Sequence, residues 1–275
     1  MTTRPEMHRH ILFRRLPASA PRVTGLARRG VLSLLALTLM GCSYDPFKAF
    51  DPALSTNYLS VAMDANLFPF AGIEVPLGDS IALVGESDQT QSVELRLFPG
   101  QPLKNNGMRA EVVVDYPYAE FETVVTTWQL KFVGPFPYDD KNRWWVVGQW
   151  HDQPDPGLGQ TWADFPANSP PVLIGFGYTN GSRALGLSYG TAQKPVGFVP
   201  IQEDVWYGLS TTIRWARDGS GSITFRVSPG NAVLTATGAN MLNAYRHYFK
   251  TGMYRHRDIA TENRVRIRNI SMYKL

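Results

Sequence analysis

Three short stretches of this 275-residue chain carry side chains that hold anions and move protons. They are Arg109 and Glu111 in RAEV, Gln149 and His151 in QWH, and Tyr248, Lys250 and Tyr254 in YFKTGMYR. Arginine offers a planar fork suited to a carboxylate. A glutamine amide donates or accepts, and histidine and tyrosine transfer protons. Neighbouring residues of a strand point to opposite sides. On extended backbone Arg109 therefore shares a face with Glu111, Gln149 with His151, and Tyr248 with Lys250, Gly252 and Tyr254. Met108, Ala110, Val112, Trp150, Phe249 and Met253 face the other way. Each strand is expected to give one apolar face to a core and one polar face to a site. Gly252 is expected to leave room for something to approach the backbone. Singly, these motifs have plainer meanings: a surface ion pair, a structural histidine, a half-buried tyrosine-rich edge. Their coincidence points to a site.

The elements that must position them read as β almost throughout. Runs rich in β-branched and aromatic residues, bounded by Gly, Pro, Asn or Asp, predict strands over 92–98, 109–116, 123–133, 143–150, 171–178, 183–189, 205–216, 221–227 and 264–275. RDGSGS at 217–222 is a hairpin turn. Only 66–73 and 238–248 offer short helical possibilities. About ten strands in one domain predict an all-β jelly-roll sandwich whose concave face makes an open cleft. The segment from His151 to Pro171 holds five prolines and three acids without periodicity. A connection that long is either a surface loop or a lid over the cleft.

The N-terminus is set apart. Residues 1–41 combine a basic region, the apolar run Val31–Met40 and Gly41 before Cys42, the pattern of a bacterial export signal. The run is shorter than the roughly 20 residues that span a bilayer. Leu39-Met40-Gly41-Cys42 resembles a lipobox, which predicts lipid attachment at Cys42, a periplasmic or outer-membrane location and a tether over 42–58. Arg28-Arg29 also resembles a twin-arginine signal, so Sec and Tat export both stay open. Cys42 is the only cysteine, so no disulfide forms within the chain. The leader carries seven arginines and one glutamate, which leaves 20 basic and 22 acidic residues over 42–275. The basic pI therefore belongs to the leader, and nucleic acid is not an expected partner. Beyond the leader only His151, His247 and His256 remain, and the last two are expected to be bystanders.

R-x-E-V, Q-x-H and Y-x-K-x-G-x-Y, in that order, resemble the signature regions of jelly-roll polysaccharide lyases. Alginate lyases of family seven carry them, as do relatives of glucuronan lyase and heparin lyase I. The stretches from GQWHDQPDP through PPVLIGFGY and Trp206–Trp215 to YFKTGMYR look most like the glucuronan and heparin lyase I-like group. Trp150 and Arg255 depart from the alginate pattern. The likeness spans about residues 90–275 and implies a concanavalin-A-like jelly roll that cleaves a uronate-containing polysaccharide by β-elimination, leaving C4–C5 unsaturated ends.

That chemistry needs groups that neutralise the carboxylate, a base for the C5 proton and an acid for the leaving oxygen. By the resemblance, Arg109 and Gln149 neutralise the carboxylate, with His151 alongside. His151 and Tyr254 divide the proton transfers, and either is the base. Lys250, Glu111 and Tyr248 are substrate-binding candidates. Lys250 could favour a Tyr254 phenolate, but on an extended strand it lies about 13 Å away. No cofactor is required. A structural calcium is possible through Asp152, Asp155 and Asp164, although their spacing fits no calcium motif. A monomer is expected. Two other classes stay open: a non-catalytic carbohydrate-binding jelly roll, and a glycoside hydrolase using Glu120 and Glu122.

Overall fold

The computed structural model describes residues 58–61 and 70–275, except 138, 140, 164 and 180. The leader, Cys42 and Asp164 lie outside the described residues. Among the described residues there are fifteen strands: β1 (Tyr58–Val61), β2 (Gly72–Glu74), β3 (Ile81–Gly85), β4 (Gln91–Leu97), β5 (Met108–Val114), β6 (Thr123–Val133), β7 (Trp145–His151), β8 (Val172–Thr179), β9 (Ser182–Tyr189), β10 (Lys194–Pro200), β11 (Trp206–Arg214), β12 (Ser222–Ser228), β13 (Ala232–Thr237), β14 (Tyr248–Arg255) and β15 (Asn263–Lys274). They form two antiparallel sheets. One runs β13-β12-β11-β6-β15-β4-β3, with β1 also on β15; the other runs β10-β9-β8-β7-β14-β5-β2. This is the expected jelly-roll sandwich.

Alternation along the strands explains the two layers. Val93, Leu95 and Leu97 of β4, and Trp128, Leu130 and Phe132 of β6, all lie in the core, fully buried. So do Ala110 and Val112 of β5 and Phe249 and Met253 of β14. Trp128 of the first sheet meets Trp150 and Phe249 of the second, with ring centroids 6.0 and 5.0 Å away. Burying such a ring contributes about 1.5–3 kcal/mol. This contact fixes β7 and β14, the strands that present QWH and YFKTGMYR. Trp150, a departure from the alginate pattern, fills the space between the sheets.

Four strands, β2, β3, β10 and β13, were not evident in the sequence, and Tyr58, expected to end the tether, opens β1. These short strands lie at or near sheet edges, where patterning is weakest. The possible helix at 238–248 is not formed. Residues 238–247 make bends, and Tyr248 already belongs to β14. Asn240 holds the segment in place, accepting from Ala216 N at 2.8 Å and donating to Arg214 O at 2.8 Å. Those tertiary bonds compete with a local helix. The 217–222 hairpin joins β11 to β12 as expected, with Asp218 accepting from Ser220 N at 2.8 Å.

Gly252 has a different purpose from the one expected. Its φ is +138°, and β14 gains one residue against β7 between Thr251 and Tyr254. A Cβ there would collide with the Ala110 carbonyl and come within 2.6 Å of Leu95 Cδ1. The space beside Gly252 is thus filled by β5 and the core, and glycine is needed for the bulge. Gly252→Ala is expected to lower Tm by about 5–10 °C, since backbone strain of about 1–3 kcal/mol adds to the collision. Thermal unfolding of the purified domain checks this.

Candidate active site

The outward face of the β7-β14-β5-β2 ladder carries the motif residues. Cross-strand pairing sets Tyr248 opposite His151, Lys250 opposite Gln149, Gly252 opposite Glu111 and Tyr254 opposite Arg109. Glu74 of β2 pairs with Glu111 from the other side. All nine positions therefore belong to one face.

At its centre is a ladder of charge. Gln149 donates through Nε2 to Glu111, which is 1% exposed. Arg109 Nη1 lies 3.1 Å from Glu74 and 3.5 Å from Glu111. Lys250 Nζ donates to both Glu74 oxygens at 3.0 Å. Two cations are thus matched by two carboxylates in a nearly dry setting. Burial by itself would raise the Glu74 carboxyl, but Lys250 and Arg109 hold it below its ordinary value. Burial by itself would lower Arg109, but Glu111, Tyr254 and Glu74 raise it. Arg109 Nε is buried and has no hydrogen-bond partner among the described residues.

Tyr254 lies at one end of this ladder. The Arg109 guanidinium is 4.1 Å from its ring centroid, and Trp144 meets it edge-on at 4.7 Å. The cation beside this phenol is therefore Arg109, while Lys250 serves Glu74. A cavity of about 190 Å³ opens here between Gly107, Trp144, Tyr254 and His256. A Cβ on Gly107 would come within 2.6 Å of the Tyr254 ring and 2.8 Å of Arg109 Nη2, so glycine allows the pair its position.

His151 lies at the other end. Its Nδ1 is 2.8 Å from Asp152 Oδ1 and 2.9 Å from the Asp152 carbonyl oxygen. Both partners only accept, so Nδ1 carries the proton and Nε2 keeps a lone pair when the ring is neutral. Asp152 is 1% exposed and also accepts from Asn168 Nδ2 at 2.6 Å. Burial would raise its carboxyl, but His151 and Asn168 bring it below its ordinary value. The aromatic neighbour of His151 is Tyr248, 5.9 Å away. Burial, with Glu74 and Glu111 close by, raises the Tyr248 phenol.

His151 and Tyr254 do not touch. Tyr254 lies six positions along β14 from Tyr248, the partner of His151, about 20 Å on a straight strand. The bulge at Gly252 lies between them and bends the strand.

The other candidates fall elsewhere. His247 is buried. It accepts from Leu242 N at 3.2 Å, its Nδ1 faces Tyr245 O at 3.1 Å, and burial pushes it down to about 4. It is a neutral structural residue. Arg255 points into the core opposite Tyr254, donates to Asn263 and lies 5.4 Å from the Trp145 ring centroid. Burial and the nearby Arg143 push it down to about 10. Glu120 pairs with Arg217 at 2.8 Å and Glu122 with Lys274 at 3.0 Å, so neither is a free hydrolytic carboxyl. Asp155 caps the turn Pro156–Leu158, accepting from Gly157 N at 2.8 Å. Among the described residues no group of three His, Cys, Asp or Glu is placed to hold a metal ion. Glu74, Asp152, Gly107 and Trp144 were missed as site residues. Only Asp152, adjacent in sequence to His151, carried a signal that could have found it.

A two-sheet jelly roll with an acid–base and cation-rich face is the architecture of an enzyme on an extended polymer. Residues 81–271 match the family model described as polysaccharide lyase, and the chain belongs to that family. Its fold is similar to the endo-β-1,4-glucuronan lyase of the fungus Trichoderma reesei, at 12% identity and a TM-score of 0.58, covering 80% of this chain and 96% of that one. The alginate lyase Aly36B is similar at 12% identity and a TM-score of 0.54, covering 80% and 97%. The marine alginate lyase of Aplysia kurodai is similar at 10% identity and a TM-score of 0.50, covering 80% and 99%. No curated protein matches the chain.

Proposed function

We propose that this polysaccharide lyase eliminates across the C4–O4 bond of a uronate-containing chain bound along the β7-β14-β5 face. The observation that carries this reading is Tyr254, whose ring lies on the Arg109 guanidinium. A uronate beside that pair has Tyr254 on one side and Gln149 on the other. Its carboxylate meets the Arg109 guanidinium and the Gln149 amide, groups fixed in advance by Glu111 and Glu74. A base takes the C5 proton, C4 and C5 form a double bond, and the electron pair of the breaking C4–O4 bond goes to O4, which takes a proton. Tyr254 is the donor to O4. Tyr254 is also the base that takes the C5 proton, because His151 stands about 20 Å along the strand, too far for both to reach one C4–C5 bond. His151, with Nδ1 held by Asp152, faces the neighbouring sugar. Glucuronan and alginate are the first polymers to try, since structural neighbours are lyases of these, and one is seen with an alginate tetrasaccharide.

A second reading places the proton transfers wholly at the His151 end, because Tyr248 is the tyrosine beside His151. Incubation with glucuronan, alginate, hyaluronan and heparin, followed by ultraviolet absorbance, tests the class. Rising absorbance marks an unsaturated uronate. New reducing ends without it mark hydrolysis, and retention on the polymer with neither marks a binding module. Export and lipid attachment at Cys42 belong to the same proposal; metabolic labelling with a radioactive fatty acid, lost in Cys42→Ala, tests the anchor.

A further inference from the structure

The long connection after β7 is a built feature. Its ends are tied by Asp152 to Asn168 at 2.6 Å, by Gln153 O to Asn243 at 2.9 Å and by Pro170 O to Gln193 at 2.7 Å. Within it, Asp155 N donates to Gln160 Oε1 at 2.9 Å. Trp162 is nevertheless 59% exposed. It meets Phe165 at 5.6 Å and stands perpendicular to Tyr248 at 6.1 Å. Tyr248 in turn neighbours His151. The three rings lead from the floor of the site to its rim, and the indole at the rim is mostly open. An aromatic ring held by an anchored loop against the mouth of a site, with its face open, is placed to contact what that site binds.

We propose that Trp162 is a sugar-stacking residue that receives a pyranose ring of the polymer on the His151 side, beyond the reacting uronate. This rests on the lyase reading. The C–H face of a pyranose is apolar and matches an indole plane, while its hydroxyl rim remains in water. Leu158, 74% exposed on the same loop, could suggest a lipid surface instead. The perpendicular contact with Tyr248 ties Trp162 to the mouth of the site and favours the sugar.

The test compares wild type, Trp162→Ala and Trp162→Phe on oligoglucuronates and oligomannuronates of four and eight units. Trp162→Ala is expected to raise KM for the longer substrate about tenfold with kcat within twofold. The effect shrinks on the shorter substrate, and Trp162→Phe recovers part of the loss. In parallel, the octasaccharides are titrated into each protein and tryptophan emission is followed. A saturable change in wild type that is absent in Trp162→Ala supports stacking even where no absorbance at all is produced, which would overturn the lyase reading alone. Unchanged KM at both lengths, together with equal emission changes in wild type and Trp162→Ala, overturns the stacking role and leaves the lyase reading standing. Vesicle binding that depends on Trp162, with no response to sugar, also overturns it.

Discussion

Tyr254→Phe is expected to lower kcat by about 10²–10⁴-fold, the usual contribution of a positioned acid or base, with KM and Tm nearly unchanged. The variant keeps the ring against Arg109 and Trp144, so packing at 4.1 and 4.7 Å survives. Only the hydroxyl is lost, and with it the proton for O4. A drop in kcat with KM held marks an interaction made in the transition state. Tyr248→Phe is the matched control. Tyr248 is 8% exposed and lies beside His151, so a loss confined to Tyr248→Phe would move the reaction to the His151 end. Full activity in Tyr254→Phe would sink the proposed mechanism while leaving the family intact. His151→Ala, measured alongside, reports whether Nε2 is required.

The face on which each motif residue stands was legible because β-strands impose a period of two. Phe249 and Met253 are core, and Lys250 and Tyr254 are not, as alternation in YFKTGMYR requires. The order of the sheet was not legible. Nothing in the sequence says that β14 lies between β5 and β7, or that β2 flanks β5. Glu74 therefore carried no signal: a three-residue strand with one acid has no pattern, yet it holds both cations of the site. The cation beside Tyr254 was hidden for the same reason. Within the strand the nearest candidate was Lys250, four residues away, whereas the true neighbour comes from the facing strand. Gly252 shows a third kind of miss. A glycine between two functional residues suggests an opening, but its positive φ and the neighbouring carbonyl are properties of the bulge, which composition does not reveal. Arg255 fits no surface pattern because it is inside.

Glu74 is the residue on which the charge balance of the site turns. Glu74→Gln leaves Lys250, whose side chain is 4% exposed, without a counter-charge. Removing one member of a buried pair costs about 3–5 kcal/mol. The lower figure applies, because 17% of the Glu74 side chain is exposed and Arg109 retains Glu111. A drop in Tm of about 6–12 °C follows. The double variant Glu74→Gln/Lys250→Met is expected to recover most of it, because the orphaned ammonium is gone. Failure of the second change to restore Tm would show that the pair does not act as a unit. Acid gives an independent check. The folded carboxyl lies below its ordinary value, so its stabilisation is present in full above about pH 4.3 and is lost as pH falls through the folded pKa. Wild type should therefore lose stability with acid faster than Glu74→Gln, and the two Tm curves should converge toward the acid end. Activity separates binding from folding. If Lys250 contacts substrate anions, the restored double variant remains raised in KM at neutral pH, because its fold has returned and its cation has not.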